Sequence, residues 1–387
     1  MQTKPGAIII EGHVQGLSNT RSLGEKDIPV YVVDKENCIA RYSKYCNKYF
    51  RSPDFLSDEF ADYLIDLAKR ENIKDWVLIP SNDHGVYTIS KNREKLSKHY
   101  KIITPGIDII ENIYDKSKLL TMAGHAGVPI PQTHYFNRVE EELSDNIPYP
   151  VITRGRNGLS FYKIFKKKAF IAQNHNDLRE QLNIISRKID IKQTFTQEII
   201  PINGNNKTIS FTAFCENGEI KTYWMGAKLR EHPIRFGTAT FCESIYDPEL
   251  LSISKPLLKA LRYTGVCEVE YLVDPRDNLY KLIEINARTW LWVGLAKACG
   301  VDYAQLIYNY LQGDSIETNN GYKIGLKWRN IYTDAIFSTM GILKGSVSIK
   351  EFIHSLNGDI IDGIWHKKDP KPMIAYARMI PQLLRNR

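Results

Sequence analysis

The chain has 387 residues, is 43% hydrophobic and 25% charged, and carries a net charge of +8. That length exceeds a usual single domain, so two or three are expected, and the composition is that of a soluble globular protein. The charge suits an anionic ligand such as a nucleotide, whereas the lack of a long Lys/Arg block or a basic-aromatic repeat argues against nucleic acid.

Six scattered cysteines without a C-x-x-C pair point to reduced thiols and a cytoplasmic location, not to a disulfide or zinc framework. The first residues lead straight into a strand, unlike a signal peptide. No apolar run reaches the roughly 18 residues that span a bilayer.

Residues 1–108 alternate strands with helices. Ala7-Ile8-Ile9-Ile10 is a buried-strand run, Leu17 to Lys26 suits a helix, and Pro29 to Asp34 is a second strand. Phe55 to Glu71 is an amphipathic helix, and Trp76 to Pro80 a third strand. Such alternation implies a parallel sheet whose ligands sit beyond the strand C-termini. That places His13 to Arg21 and Ser81 to His84 beside a cleft. Gly12 and Gly16 are too sparse for a dinucleotide fingerprint and read as a βα loop. Ser18-Asn19-Thr20-Arg21 suits a helix cap or an anion site, and Asp83 either an N-cap or an amine-holding acid. His13, His84 and His232 lie in loops within reach of a substrate and read as surface or hydrogen-bonded histidines ahead of substrate contacts.

Ile107 to Gly127 reads as a helix carrying Asp115-Lys116, stopped by Pro129 and Pro131. Tyr149 to Arg154 is a strand ending in a cation, with a turn at Gly155 to Gly158. Lys166-Lys167-Lys168 is a short solvated turn. Asn176 to Ile189 is a helix and Thr194 to Ile200 a strand. Asn217-Gly218 marks a hairpin between Thr208–Cys215 and Glu219–Met225. Met225 to Arg235 then reads as a cationic loop. Trp290 to Gly313 is helical, with Trp290 and Trp292 in the core. Residues 316–387 form a distinct tail with Trp328, Asp334 and the D-P-K-P run at 369–372. The last stretch, from Met373, is either a packed helix or a membrane-surface helix.

The stretch from Tyr263 to Arg288 reads as two strands joined by the turn Asp274-Pro275-Arg276-Asp277-Asn278. Side chains alternate across a strand, so Glu268 and Glu270 share a face, as do Glu284 and Asn286. Pairing around the turn would bring Glu270, Glu284 and Asn286 to one patch. Two carboxylates and an amide oxygen are hard ligands suited to Mg²⁺. An ordinary polar sheet face is the other reading of the same pattern.

The order of these features resembles the ATP-grasp superfamily. It is most similar to the carboxylate–amine ligase branch that includes D-aspartate-ligase-like enzymes, over roughly residues 5–313. The resemblance rests on Asp115-Lys116, on Gly127-Val128-Pro129-Ile130-Pro131, and on G-x-C-x-V-E-Y followed by L-I-E-I-N-A-R. It implies an ATP-grasp fold, α/β and α+β in class, behind a parallel α/β (pre-ATP-grasp) domain, with a C-terminal extension. The implied domains are 1–108 (pre-ATP-grasp), 109–192 (small lid subdomain), 193–315 (large subdomain with the Mg-ATP site) and 316–387 (C-terminal extension).

Carried over by position, the resemblance gives Lys116 and Arg154 to the phosphates, with Arg154 where relatives have a Lys. It gives Gln197, Glu198 and Ile200 to the hinge strand that meets adenine. Lys228, Arg230 and Arg288 become the catalytic cations, and Glu270, Glu284 and Asn286 the ligands of Mg²⁺ (or Mn²⁺). The Gly-rich lid of many relatives is replaced by Asn157-Gly158-Leu159-Ser160.

The implied function is an ATP-dependent, ADP-forming ligase joining a small-molecule carboxylate to an amine through an acyl phosphate, in peptide, cell-wall or surface-polysaccharide synthesis. A nucleotide-binding regulator or scaffold with weakened catalysis is the alternative. A carboxylating or carbamoylating member is disfavoured, because no biotin-carrier or glutaminase segment is seen. The expected assembly is a monomer or homodimer, without nucleic acid, with peripheral membrane contact through the tail.

Overall fold

Strand runs that are apolar at every residue are buried on both faces of a sheet. Ala7–Ile10 (β1) is such a run, and all four residues are buried. With Val30–Asp34 (β2), Lys48–Arg51 (β3), Trp76–Pro80 (β4) and Tyr100–Ile102 (β5), it forms a parallel sheet of order β3-β2-β1-β4-β5. The helices Val14–Gly24 (α1), Glu59–Arg70 (α2), Asp83–Lys91 (α3) and Arg93–Leu96 (α4) connect its strands. The chain is seen here as a computed structural model that describes residues 4–385 apart from 140–142, 144–145, 202–206, 233–236, 317, 319–320 and 346. The Ser18–Arg21 segment is not a cap, because α1 starts at Val14 and the four residues are buried inside it or partly so.

The helix read over 107–127 is two helices, Ile107–Tyr114 (α5) and Lys116–His125 (α6). The break is chemical. Asp115 leaves helical geometry, and its carboxylate accepts from the backbone N–H of Ser117 at 3.0 Å and of Lys118 at 3.3 Å, satisfying orphan donors of a new N-terminus.

A second sheet holds Thr133–His134 (β6), Val151–Gly155 (β7), Phe170–Ala172 (β8) and Thr194–Glu198 (β9), in the order β6-β9-β7-β8. The helices Gly158–Phe165 (α7) and His175–Ser186 (α8) belong to it. The expected boundary at 192 therefore falls too early, since β9 pairs with β7 from Val151↔Glu198 to Gly155↔Thr194. The start at 109 is also early, because Leu119 and Ala123 of α6 share a core with Phe211 and Val269 of the large sheet.

That large sheet has the order β14-β13-β10-β11-β12-β15-β16. Its strands are Thr208–Glu216 (β10), Glu219–His232 (β11), Thr238–Ile245 (β12), Gly265–Val273 (β13), Tyr280–Asn286 (β14), Lys327–Arg329 (β15) and Ile360–Asp362 (β16). Helices Pro248–Ala260 (α9), Val293–Ala298 (α10), Tyr303–Gln312 (α11), Ile331–Leu343 (α12), Ile349–Ser355 (α13) and Lys371–Arg385 (α14) complete the chain. Asn217 and Gly218 both have positive φ, +48° and +84°, as the tight turn between β10 and β11 requires. The cationic segment after Met225 is not a loop: it continues β11 to His232, and residues 233–235 lie outside the described ones.

The tail is not a separate extension either. β15 pairs with β12, β16 pairs with β15, and Trp328 is fully buried in the core that joins the N-terminal and large sheets. Trp224, Trp290 and Trp292 form the centre of that core, with ring centroids 5.3–6.4 Å apart. A Cβ on Gly226 would lie 2.4 Å from the rings of both Trp224 and Trp292.

Asp369 of the D-P-K-P run closes the molecule. It is 1% exposed and accepts from Arg21 Nε at 2.9 Å, Ser43 Oγ at 2.7 Å and the Lys44 N–H at 2.9 Å. Removing one member of a buried pair strands the other charge. Asp369→Ala is therefore expected to lower unfolding free energy by ~3–5 kcal/mol in chemical denaturation; a change under ~1 kcal/mol, the level of a surface pair, would contradict this role.

Candidate active site

β13 and β14 pair antiparallel, with Glu268 opposite Asn286 and Glu270 opposite Glu284. Glu270, Glu284 and Asn286 thus share one face at adjacent rungs, with Glu268 as a third carboxylate. Asn286 Nδ2 donates to Glu268 Oε2 at 3.0 Å and to Glu270 Oε1 at 3.3 Å, and Ser210 Oγ donates to Glu268 Oε1 at 2.8 Å. Burial, with Glu270 adding repulsion, pushes the Glu268 carboxyl up to about 8.

Cations from separate elements converge on these acids. Lys228 Nζ, from β11, donates to Glu270 Oε2 at 2.6 Å, and both side chains are about nine-tenths buried. Burial opposes the lysine's charge, but Glu270 and Glu268 outweigh it and hold the ammonium protonated. Lys116 Nζ, at the start of α6, donates to Glu284 Oε2 at 2.9 Å and holds that carboxyl well below the usual range. Glu284 is the most open of these acids, its side chain 38% exposed. Arg154, at the end of β7, feels the Glu284 charge, while burial draws its pKa down.

Arg288 follows β14 and grips Asp83 with Nε at 2.9 Å and Nη2 at 3.1 Å. Its Nη2 also donates to Asn286 Oδ1 at 3.0 Å. Asp83 is not the N-cap of α3. Asn82 is, accepting from the Gly85 N–H at 2.6 Å. Arg288 therefore ties the N-terminal sheet to the carboxylate patch.

Four expected site residues lie away from the carboxylate patch. Arg230 donates to Asp334 through Nε at 2.8 Å and Nη2 at 2.7 Å, with Phe241 and Phe352 beside its guanidinium. The β11–β12 register shifts between Lys228 and Arg230, so the two-residue alternation that would put them on one face is lost. Glu198 accepts from the Gln132 N–H at 2.8 Å and from Arg276 Nη2 at 2.6 Å. Gln197 Nε2 donates to Thr133 Oγ1 at 3.2 Å. With Ile200 buried, these three form the seam between the small sheet and the hairpin turn. His232 stacks on Phe337, their ring centroids 3.5 Å apart.

One acid escaped the sequence reading. Glu11 follows β1 with φ +70°, and Gln15 Nε2 donates to its Oε2 at 3.1 Å. Burial first, then Asp34 and Asp83, push its carboxyl up to about 7, against Arg288 and Asn82. The signal was faint: a lone acid after a buried strand.

The donor set fits Mg²⁺. Hard oxygens of Glu270, Glu284 and Asn286 stand on adjacent rungs, already balanced by cations. Two carboxylates and one amide are the kind of protein donor set that Mg²⁺ takes while phosphate and water complete its shell.

A small lid sheet, a large sheet with a carboxylate hairpin at its edge and a parallel N-terminal domain together define the ATP-grasp fold. Residues 240–317 match the family model described as "Carbamoyl-phosphate synthase L chain, ATP binding domain". The chain is 26% identical over 264 residues to the D-aspartate ligase of Enterococcus faecium (strain Aus0004), a match covering 64% of this chain and only 62% of that protein. N5-carboxyaminoimidazole synthetase from Staphylococcus aureus superposes with a TM-score of 0.64 at 16% identity, over 84% of this chain and 81% of that one; the same enzyme has been solved complexed with ADP. L-amino acid ligase from Bacillus licheniformis gives 0.60 at 15% identity, over 81% and 75%. The chain thus has the fold of these ATP-grasp structures and is similar in sequence to a D-aspartate ligase.

The Glu11 placement has a stability consequence. Its folded pKa, about 7, lies above the ordinary 4.5, so the fold favours the protonated acid. That contribution is full below pH 4.5 and is lost as pH rises through 7. Glu11→Gln should match the wild type in acid and exceed it by up to about 3 kcal/mol above neutrality, read from unfolding curves across pH. Equal pH profiles for the two proteins would contradict the placement.

Proposed function

We propose that this protein is an ADP-forming ligase that joins a carboxylate to an amine through an acyl phosphate. The observation that carries this is the convergence of Lys228, Lys116, Arg154 and Arg288 on the Glu270/Glu284/Asn286 rungs. A carboxylate is a weak nucleophile, and it is repelled by the phosphates it must attack. Fixed cations around the reacting oxygens offset that repulsion at no reorganisation cost.

In this reading Glu270, Glu284 and Asn286 hold Mg²⁺, which when bound would neutralise the phosphate oxygens of ATP. Lys116 and Arg154 face the phosphates from the small-sheet side, and Gln197, Glu198 and Ile200 border the adenine. Lys228 and Arg288 stand at the acyl end. The substrate carboxylate oxygen takes the γ-phosphoryl group and ADP leaves. The amine then attacks the acyl carbon, the amide C–N bond forms, and phosphate departs. Arg230 has no part in this, because Asp334 holds its guanidinium. The relatives named for D-aspartate and L-amino acids favour an amino acid as one substrate, with a product in peptide, cell-wall or surface-polysaccharide synthesis and a cytoplasmic site of action.

The test is incubation with Mg-ATP and pools of amino acids, D-aspartate and sugar acids. Substrate-stimulated release of ADP and phosphate, abolished by chelation, is expected. AMP and pyrophosphate would sink the acyl-phosphate route, and nucleotide binding without turnover in any pool would favour the scaffold. Glu284→Gln is expected to lower ADP release by about 10²-fold or more, the scale of one lost preorganised group. Full activity in that variant would remove Glu284 from the metal set.

A further inference from the structure

In an open parallel sheet, the crevice for a ligand lies beyond the strand C-termini, where the connections diverge to opposite sides. Here that point lies between β1 and β4: the chain runs from β1 to β2 on one side, and from β4 to β5 on the other. Glu11 follows β1, and Ser81-Asn82-Asp83 follow β4. Arg288 reaches the same place from the large sheet by its grip on Asp83.

Glu11 holds a left-handed backbone, φ +70°, costly for a residue with a side chain. Strain of this kind persists where the surroundings enforce it, often at functional sites. Gly16 is part of that enforcement. A Cβ there would sit 2.0 Å from the Glu11 carbonyl oxygen, so only glycine lets α1 pass so close.

The charges around this notch are unequally matched. Asp83 is held by Arg288. Asp34 accepts from the Gly12 N–H at 2.8 Å and the Glu36 N–H at 3.2 Å. Glu11 is met by the neutral amides of Gln15 and Asn82, and among the described residues no cation lies within ion-pair distance of it. Gln15 Nε2 also donates to the Ser81 carbonyl at 2.9 Å, which fixes the amide and leaves Gln15 Oε1 a buried acceptor with no donor among the described residues. Arg288, at the notch's edge, directs its donors to Asp83, Thr289 and Asn286, so among the described residues the notch offers acceptors and negative charge with no cation paired to Glu11. A phosphate or carboxylate would meet Glu11 and Asp34 head-on.

We propose that this notch binds the ammonium group of the amine substrate, with Glu11 as the carboxylate that anchors it and takes up the proton the nitrogen must lose before it attacks the acyl carbon. An ammonium group supplies three donors and the missing positive charge. Arg288 links the notch to Asn286, so a substrate anchored there stands one side chain from the carboxylate rungs. This assignment rests on the ligase reading above.

The test compares two nucleophiles on one carboxylate that supports wild-type turnover. Hydroxylamine is uncharged at neutral pH and needs no anchor; an amino-acid amine carries the ammonium. Glu11→Gln and Glu11→Gly are measured beside the wild type. Glycine suits a positive φ and should leave the melting temperature unchanged or higher. For both variants, kcat/KM for the amine is expected to fall about 30-fold or more, as for one partner removed from a buried charge pair, while hydroxamate formation is unchanged. Equal loss with both nucleophiles, or loss with neither, would overturn the assignment. If the wild type forms no hydroxamate from any carboxylate, the ligase reading itself fails, and this assignment with it.

Discussion

Like charges held side by side in a protein interior must be balanced, and the rungs of the β13–β14 hairpin impose that condition here. Glu268, Glu270 and Glu284 occupy one face of adjoining strands. Each would repel the others without partners. The balance comes from Lys228 on β11, Lys116 at the head of α6, Arg154 at the end of β7 and Arg288 beyond β14. Because those four side chains come from different parts of the fold, the hairpin's charge draws the small sheet, the large sheet and the N-terminal domain toward one point. A buried ion pair adds little net stability but strongly penalises removal of one partner. In the proposed ligase it would serve to place charge, which phosphoryl transfer requires.

The same logic explains the tail. Asp369 neutralises Arg21 inside the N-terminal domain, and Asp334 neutralises Arg230 on the large sheet. Both acids come from the segment after residue 316, whose strands extend the large sheet and whose Trp328 completes the common core. The tail therefore sets the orientation of the N-terminal domain against the large sheet. The relation between Asp83 and Arg288, and hence between the switch-point notch and the carboxylate rungs, depends on it.

The features legible in the sequence were those fixed by local period or local chemistry. Two-residue alternation placed Glu270, Glu284 and Asn286 together, Asn217-Gly218 announced its turn, and strand–helix alternation announced the parallel sheet. What stayed hidden depended on irregularity or distance. The segment read as a cationic loop is a strand, and the register shift in it that turns Arg230 toward Asp334 leaves no mark in the local pattern. Asp115 ended one helix and began another by a cap that hydropathy does not register. The pairing of β9 with β7 and of β15 with β12 arises from tertiary contacts that no local pattern encodes. The Arg288–Asp83 pair spans 205 positions, and the strained backbone of Glu11 leaves no mark in composition.

Oxygen tracing tests the central claim most directly. A substrate whose carboxylate carries ¹⁸O is converted with Mg-ATP and the amine, and the products are analysed by mass spectrometry. Passage through an acyl phosphate on the hairpin transfers one labelled oxygen to the released phosphate. Label recovered in AMP, or retained entirely in the amide and residual acid, would contradict the account.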